Sequence, residues 1–121
     1  MYLVLPGRPP SKKNSKRWLR RGTCTFLVPS EKHEAWHEEM ALRVRKFRPK
    51  KPYQLARVLI AIHPENRRRF DLSNAAESVM DLLVDEGFIA DDSAFNVPDL
   101  HLVLAPIAAE AKTEVHIHAL T

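Results

Sequence analysis

The residues best suited to chemistry lie in two short segments. Arg67-Arg68-Arg69-Phe70-Asp71-Leu72-Ser73-Asn74 is followed, 21 positions after Asp71, by Asp92 in the run Gly87-Phe88-Ile89-Ala90-Asp91-Asp92. Two or three carboxylates with water completing the shell suit Mg²⁺ or Mn²⁺, which take hard oxygen donors in octahedral geometry. An ion so held can activate water and neutralise the oxygens of a phosphodiester. Asp71 sits where a strand gives way to a helix and Asp92 just beyond the far end of that helix. The two therefore meet only if the intervening loop folds back or the sheet brings the loops together. A plainer reading stays open beside this one: Asp71 as a helix N-cap and Asp91-Asp92 as a polar turn.

Three further groups compete for attention. His33-Glu34-Ala35-Trp36-His37 has the H-E-x-x-H pattern, in which two histidines one helical turn apart ligate zinc and the glutamate serves as general base. No downstream acid or histidine at a recognised spacing completes that set, and an exposed helical face accounts for the same pentapeptide. His116 and His118 share one face of a strand and read as edge histidines. Lys12, Lys13, Lys16, Arg17, Arg20 and Arg21, with Trp18 among them, would suit phosphate contacts and stacking on an unpaired base. A solvated loop is the alternative.

Charge along the chain separates these groups. Residues 1–69 carry 18 of the 19 Lys and Arg and 5 of the 15 Asp and Glu, a balance of +13; the remainder carries 1 and 10, a balance of −9. Such asymmetry fits a polyanionic partner, because a basic tract releases counterions from phosphates while clustered carboxylates repel them unless a cation intervenes. Opposite faces that pair with each other would explain it equally. At 121 residues the chain is sized for one domain, residues 1–121. It has no apolar run of membrane-spanning length, no leader-like start and a single cysteine, Cys24, so the expectation is a cytoplasmic protein without disulfides or a membrane partner.

The elements that must position the acids follow from periodicity. Tyr2 to Leu5 is a short strand; Thr23 to Val28 is a second strand expected to return along it, after a basic loop. Ser30 is a candidate N-cap for a helix from about Glu31 to Phe47, with Trp36, Met40, Val44 and Phe47 on one stripe. Ala56 to His63 alternates as a central strand. Asp71 precedes a second helix, with Leu72, Ala76, Val79 and Leu83 on its apolar stripe, Asn74, Glu77, Ser78, Asp81 and Asp85 on the opposite one, and Gly87 as its stop. His101 to Ala105 and Thr113 to Leu120 read as a hairpin. The order β-β-α-β-α-β-β predicts an α+β fold: a small antiparallel or mixed sheet with two helices packed on one face.

These segments resemble the RusA family of Holliday junction resolvases. Leu5 to Asn14, LPGRPPSKKN, is similar to the family's N-terminal Pro-Pro-Ser-Asn segment with basic residues inserted; RRRFDLSN at 67–74 resembles its arginine run and Asp-x-Asp-Asn motif; MDLLVDEGFIADDS at 80–93 matches its Asp-x-Leu, Gly and Asp-Asp pattern; and TEVHIHAL matches its final strand. The resemblance implies a homodimeric Mg²⁺-dependent (or Mn²⁺-dependent) endodeoxyribonuclease that cleaves four-way DNA junctions in recombination and repair. It implies Asp71 and Asp92 as metal ligands, with Asp91 adjacent, and nucleic-acid contacts from Lys12, Lys13, Asn14, Lys16, Arg17, Arg67, Arg68 and Arg69. The chain departs from the pattern at two places: Ser73 stands where the family has its second Asp, and Glu77 where a catalytic Lys follows the Asn. Ser73 and Glu77 lie one helical turn apart, so Glu77 could supply the missing carboxylate and join Asp71 and Asp92 as a catalytic residue. The alternatives are a branched-DNA-binding protein of the same fold without activity and, further off, a zinc hydrolase on the HEAWH helix.

Overall fold

The computed structural model describes residues 1–11, 16–29 and 31–120, with backbone only at 16, 17, 19 and 26–29. Ser30, Lys12, Lys13 and Asn14 lie outside the described residues, as do the side chains of Lys16 and Arg17. The elements are β1 (Tyr2–Pro6), β2 (Lys16–Arg21), β3 (Cys24–Pro29), α1 (Glu31–Val44) with a 3₁₀ turn at Arg45–Phe47, β4 (Ala56–His63), α2 (Leu72–Asp85), β5 (Asp99–Leu104) and β6 (Lys112–Ala119). Four strands form one mixed sheet in the order β1-β6-β4-β5; β2 and β3 form a separate antiparallel pair.

Alternation decides which face of the sheet is buried. Leu3 and Leu5 of β1, Val58, Ile60 and Ile62 of β4, and Val115 and Ile117 of β6 are all almost fully buried, and the register aligns Leu3 and Ile60 with Val115 and Val58 with Ile117. Met40, Ala41 and Val44 of α1 and Ala75, Ala76, Val79, Leu82 and Leu83 of α2 close the same cluster. Both helices therefore cover one face, as expected. Tyr2, Val4, Arg57, His116 and His118 stay exposed.

α2 is punctuated at both ends by its sequence. Asp71 caps its start, its Oδ1 accepting from the backbone N–H of Ser73 (3.0 Å) and Asn74 (3.3 Å). At its end Gly87 takes φ +77°, and the N–H groups of Gly87 and Phe88 donate to the carbonyls of Val84 and Leu83, which is the Schellman arrangement that a residue with positive φ permits.

Three expectations fail. The basic stretch expected as a loop contains β2, which pairs with β3 through the two-residue turn Gly22-Thr23; Gly22 has φ +60° and, among the described residues, no non-glycine residue has positive φ, the pattern of a type II′ hairpin. The order is therefore β-β-β-α-β-α-β-β, and β3 does not return along β1. The strands β5 and β6 are not a hairpin either. β4, α2 and β5 form a crossover unit that makes β5 parallel to β4 at the sheet edge, while β6 inserts between β1 and β4, antiparallel to both. Burial gives the reason: Thr113, Val115 and Ile117 supply the buried row a central strand needs, whereas β5 leaves Leu100, Val103 and Leu104 exposed.

Candidate functional site

The loop between β4 and α2 is held from outside by Arg8. Its guanidinium donates to Glu65 Oε1 (2.8 Å) and to the carbonyl of Arg68 (3.2 Å), and stacks over the Phe70 ring at 4.8 Å. The hydrogen bond from Arg8 holds the Glu65 carboxyl below its ordinary value. Ser78, fully buried on α2, donates its hydroxyl to the carbonyl of Pro10, so the Pro-Pro segment is fastened alongside α2. The clamp leaves Arg67, Arg68 and Arg69 exposed. A cavity of about 530 Å³ lies on one side of them, lined by Pro10, Lys32, Arg68 and Arg69 among others. Another of about 500 Å³ lies on the other side, where Arg67, Arg68 and Arg69 face Leu104, Pro106 and Ile107.

Asp71 follows these arginines after Phe70 and is exposed. Its Oδ1 also accepts from the Ser73 hydroxyl at 2.8 Å, so the residue standing where a second acid was expected is engaged with the first. Glu77, one turn further along α2, is exposed. Asp91 and Asp92 are exposed too, at the other end of the molecule. Ile89 bridges Tyr53, the N–H of Ala90 donates to the Tyr53 carbonyl (3.0 Å), and the N–H of Ala56 donates to the carbonyl of Asn96 (2.9 Å). These bonds stitch residues 88–96 to the start of β4, whereas Asp71 follows its finish. The 14 residues of α2 amount to about 20 Å at 1.5 Å per residue. One chain alone does not bring Asp71 and Asp92 together.

The H-E-x-x-H helix forms, but its histidines part company. His33 is 3% exposed, whereas His37 is half-buried with its ring centroid 6.3 Å from that of His33. His37 turns Nε2 to Asp85 Oδ2 on α2, at 3.2 Å. Among the described residues the metal-competent group of three is His37, Asp81 and Asp85, with ligand atoms all within 4.8 Å of one another. It excludes His33, so the zinc-hydrolase arrangement is not assembled. The signal for this group was the i, i+4 spacing of Asp81 and Asp85; nothing local in the sequence joins them to His37. Sequence reasoning also missed Glu86, whose Oε1 receives Arg45 (2.8 Å) and Arg48 (3.0 Å); chiefly the hydrogen bond from Arg45 holds its carboxyl below the ordinary range.

Among the described residues no helix is long and apolar enough to cross a membrane. None of the curated proteins matches the sequence well enough to count as a relative. The family model of endodeoxyribonuclease RusA, however, matches residues 6–118, from the end of β1 almost to the end of β6. That span takes in the clamped Pro-Pro segment, the arginine run, Asp71 and the Asp91-Asp92 loop, and the chain therefore belongs to the RusA endodeoxyribonuclease family.

Proposed function

We propose that this single-domain protein, residues 1–121, is a structure-selective endonuclease that hydrolyses phosphodiesters of four-way DNA junctions, working as a cytoplasmic homodimer. The observation that carries the reading is the position of Asp71, at the positive end of α2 and next to three exposed arginines that flank two cavities. Arginines presented this way hold phosphates without reading sequence, which suits a substrate recognised by shape. Lys12, Lys13, Asn14, Lys16 and Arg17, close to the clamped Pro-Pro segment in sequence, are proposed as further phosphate contacts.

The site is proposed to be shared between two copies. β5 is an edge strand, and Leu100, Val103 and Leu104, with Ile107 beyond it, are 40–61% exposed, an apolar edge of the kind proteins usually cover. The Asp91-Asp92 loop lies before the start of β5, and the arginine cavity beside Asp71 lies at its finish. Antiparallel pairing of two β5 edges about a two-fold axis sets the start of one strand against the finish of the other. Asp92 of one copy then approaches Asp71 of its partner, twice, as an isologous interface requires. Two equivalent centres suit symmetrical cutting of two strands.

The donor set, carboxylate oxygens from Asp71, Asp92 and Asp91, is the kind Mg²⁺ or Mn²⁺ takes. A bound divalent ion supplies Lewis acidity toward water and the scissile phosphate. Glu77 stands on the same helix as Asp71 and provides the carboxylate that Ser73 lacks, while Arg67, Arg68 and Arg69 balance the phosphate charge that the absent Lys would meet. Incubation of end-labelled four-way, flap and linear duplex DNA with Mg²⁺ or Mn²⁺ tests the reading: junction cutting that stops in Asp71→Asn supports it, and equal cutting of linear duplex refutes it. The Ser73 to Asp71 hydrogen bond favours one second reading, a branched-DNA-binding protein without nuclease activity. Its signature is junction binding with no nicking at any concentration of either metal.

A further inference from the structure

The geometry points to a second metal site, separate from the proposed nuclease centre: His37 of α1 with Asp81 and Asp85 of α2 binds a divalent transition ion such as Zn²⁺ or Co²⁺. The three ligand atoms lie within 4.8 Å of one another, and His37 Nε2 and Asp85 Oδ2 are already 3.2 Å apart. Ligands bound at 2.0–2.2 Å stand about 3.0–3.5 Å from each other, so a small closure completes the set. The set offers one imidazole and two carboxylates. Imidazole selects zinc, cobalt and their neighbours over Mg²⁺ and Ca²⁺, which prefer oxygen alone.

The electrostatics of α2 argue independently for a cation here. A helix C-terminus carries partial negative charge and favours basic side chains, yet the last turn of α2 has none. Asp81, Asp85 and Glu86 crowd that end instead. Arg45 and Arg48 answer Glu86, and His37 faces Asp85. A recess of about 370 Å³ lined by His37, Glu38, Leu42, Arg45 and Glu86 adjoins the group at His37. His37 Nδ1 is buried without a hydrogen-bond partner. Ligating histidines normally donate that N–H to an acceptor, a contact worth 10–100-fold in affinity. The site is therefore exchangeable, and its ion clips α1 to α2 without being needed for folding.

The test is equilibrium dialysis of the intact protein against Zn²⁺ alone, with a Co²⁺ titration followed by visible absorption and by thermal melting. One ion per chain is expected in the Asp71→Asn/Asp92→Asn background, with a raised Tm. Asp85→Asn, at a half-exposed position, and His37→Ala should each weaken binding by more than about 100-fold, beyond the effect of losing an outer hydrogen bond. The double variant Asp71→Asn/Asp92→Asn should bind the ion unchanged, which separates this site from the nuclease centre. Circular dichroism and melting without metal verify that each variant is folded. Binding that survives both Asp85→Asn and His37→Ala is adventitious and overturns the inference. So does loss of binding in the Asp71/Asp92 double variant, or no stoichiometric binding at all.

Discussion

If each nuclease centre takes Asp71 from one copy and Asp92 from the other, two inactive proteins should rescue one another. Asp71→Asn keeps the helix cap, since asparagine caps a helix about as well as aspartate and still offers an oxygen to the N–H groups of Ser73 and Asn74. Asp92→Asn alters an exposed loop side chain and leaves the Asp92 backbone N–H donating to Asp91 Oδ1 at 2.9 Å. Both variants should fold, bind junctions and fail to cut. After mixing and subunit exchange at equal concentration, about half of the dimers pair one variant with the other, and each of these has one intact centre and one with both acids removed. About a quarter of all centres are then active. The product is also diagnostic: one intact centre nicks a junction without resolving it. The assay is denaturing electrophoresis of a labelled four-way junction, with native gels separating nicked from resolved molecules. The two acids flank opposite ends of α2, whose 14 residues make it about 20 Å long, so a centre confined to one chain is not expected. A mixture no more active than its components refutes the shared centre.

Glu77→Gln should reduce cleavage sharply at unchanged junction affinity, and Ser73→Asp in that background should restore part of it; full activity in Glu77→Gln removes Glu77 from the site. Replacing Arg67, Arg68 and Arg69 with Ala should weaken junction binding and reduce the slope of log K against log salt by about 2–3, read from binding isotherms at several salt concentrations; an unaltered slope rules out phosphate contact. Glu86→Gln leaves Arg45 and Arg48, both about half-exposed, without their shared acceptor and should cost about 1–2 kcal/mol, a fall in Tm of about 4–8 °C. Because the folded Glu86 carboxyl is depressed from its ordinary 4.5, its contribution is complete above that pH and disappears as pH falls through the lower folded value. Wild type and Glu86→Gln should thus converge in stability on acidification below about pH 4.5; a constant gap contradicts the pairing.

What could be read from the sequence was local. β4 announces itself in Val58, Ile60 and Ile62, and α2 in its apolar stripe between Asp71 and Gly87, because capping, periodicity and positive φ act over a few residues. β2 was hidden because its cations suppress any apolar alternation, and only the Gly22-Thr23 turn marks it. The partners of β5 and β6 were misjudged for another reason: adjacency along the chain favours a hairpin, but Val115 and Ile117 gain more by packing between β1 and β4, a contact set by residues more than fifty positions away. The acids at positions 71 and 92 were recognisable one by one. Their placement at opposite ends of α2 was not, since it follows from how tightly residues 88–96 are bonded to Tyr53, Gln54 and Ala56. The HEAWH pattern shows the converse, a motif correct in spacing whose first histidine packs into the interior.

The polarity of α2 explains why its two ends would serve different ligands. At the N-terminus the positive end of the helix dipole and the run Arg67 to Arg69 form a field suited to a phosphate, and Asp71 caps the first turn there. At the C-terminus carbonyls, Asp81 and Asp85 form a negative field, and Asp91 and Asp92 follow within a few residues. An isolated chain holds cation-attracting and phosphate-attracting ends apart, which keeps its carboxylates from repelling DNA. On the proposed two-fold pairing, the acidic loop of one copy reaches the phosphate-binding end of the other, so the metal ligands are completed where DNA is held. Assembly would then be a condition for cutting and not for binding, and dilution below the dimer dissociation constant should abolish cleavage at protein concentrations where basic residues of single chains still associate with DNA.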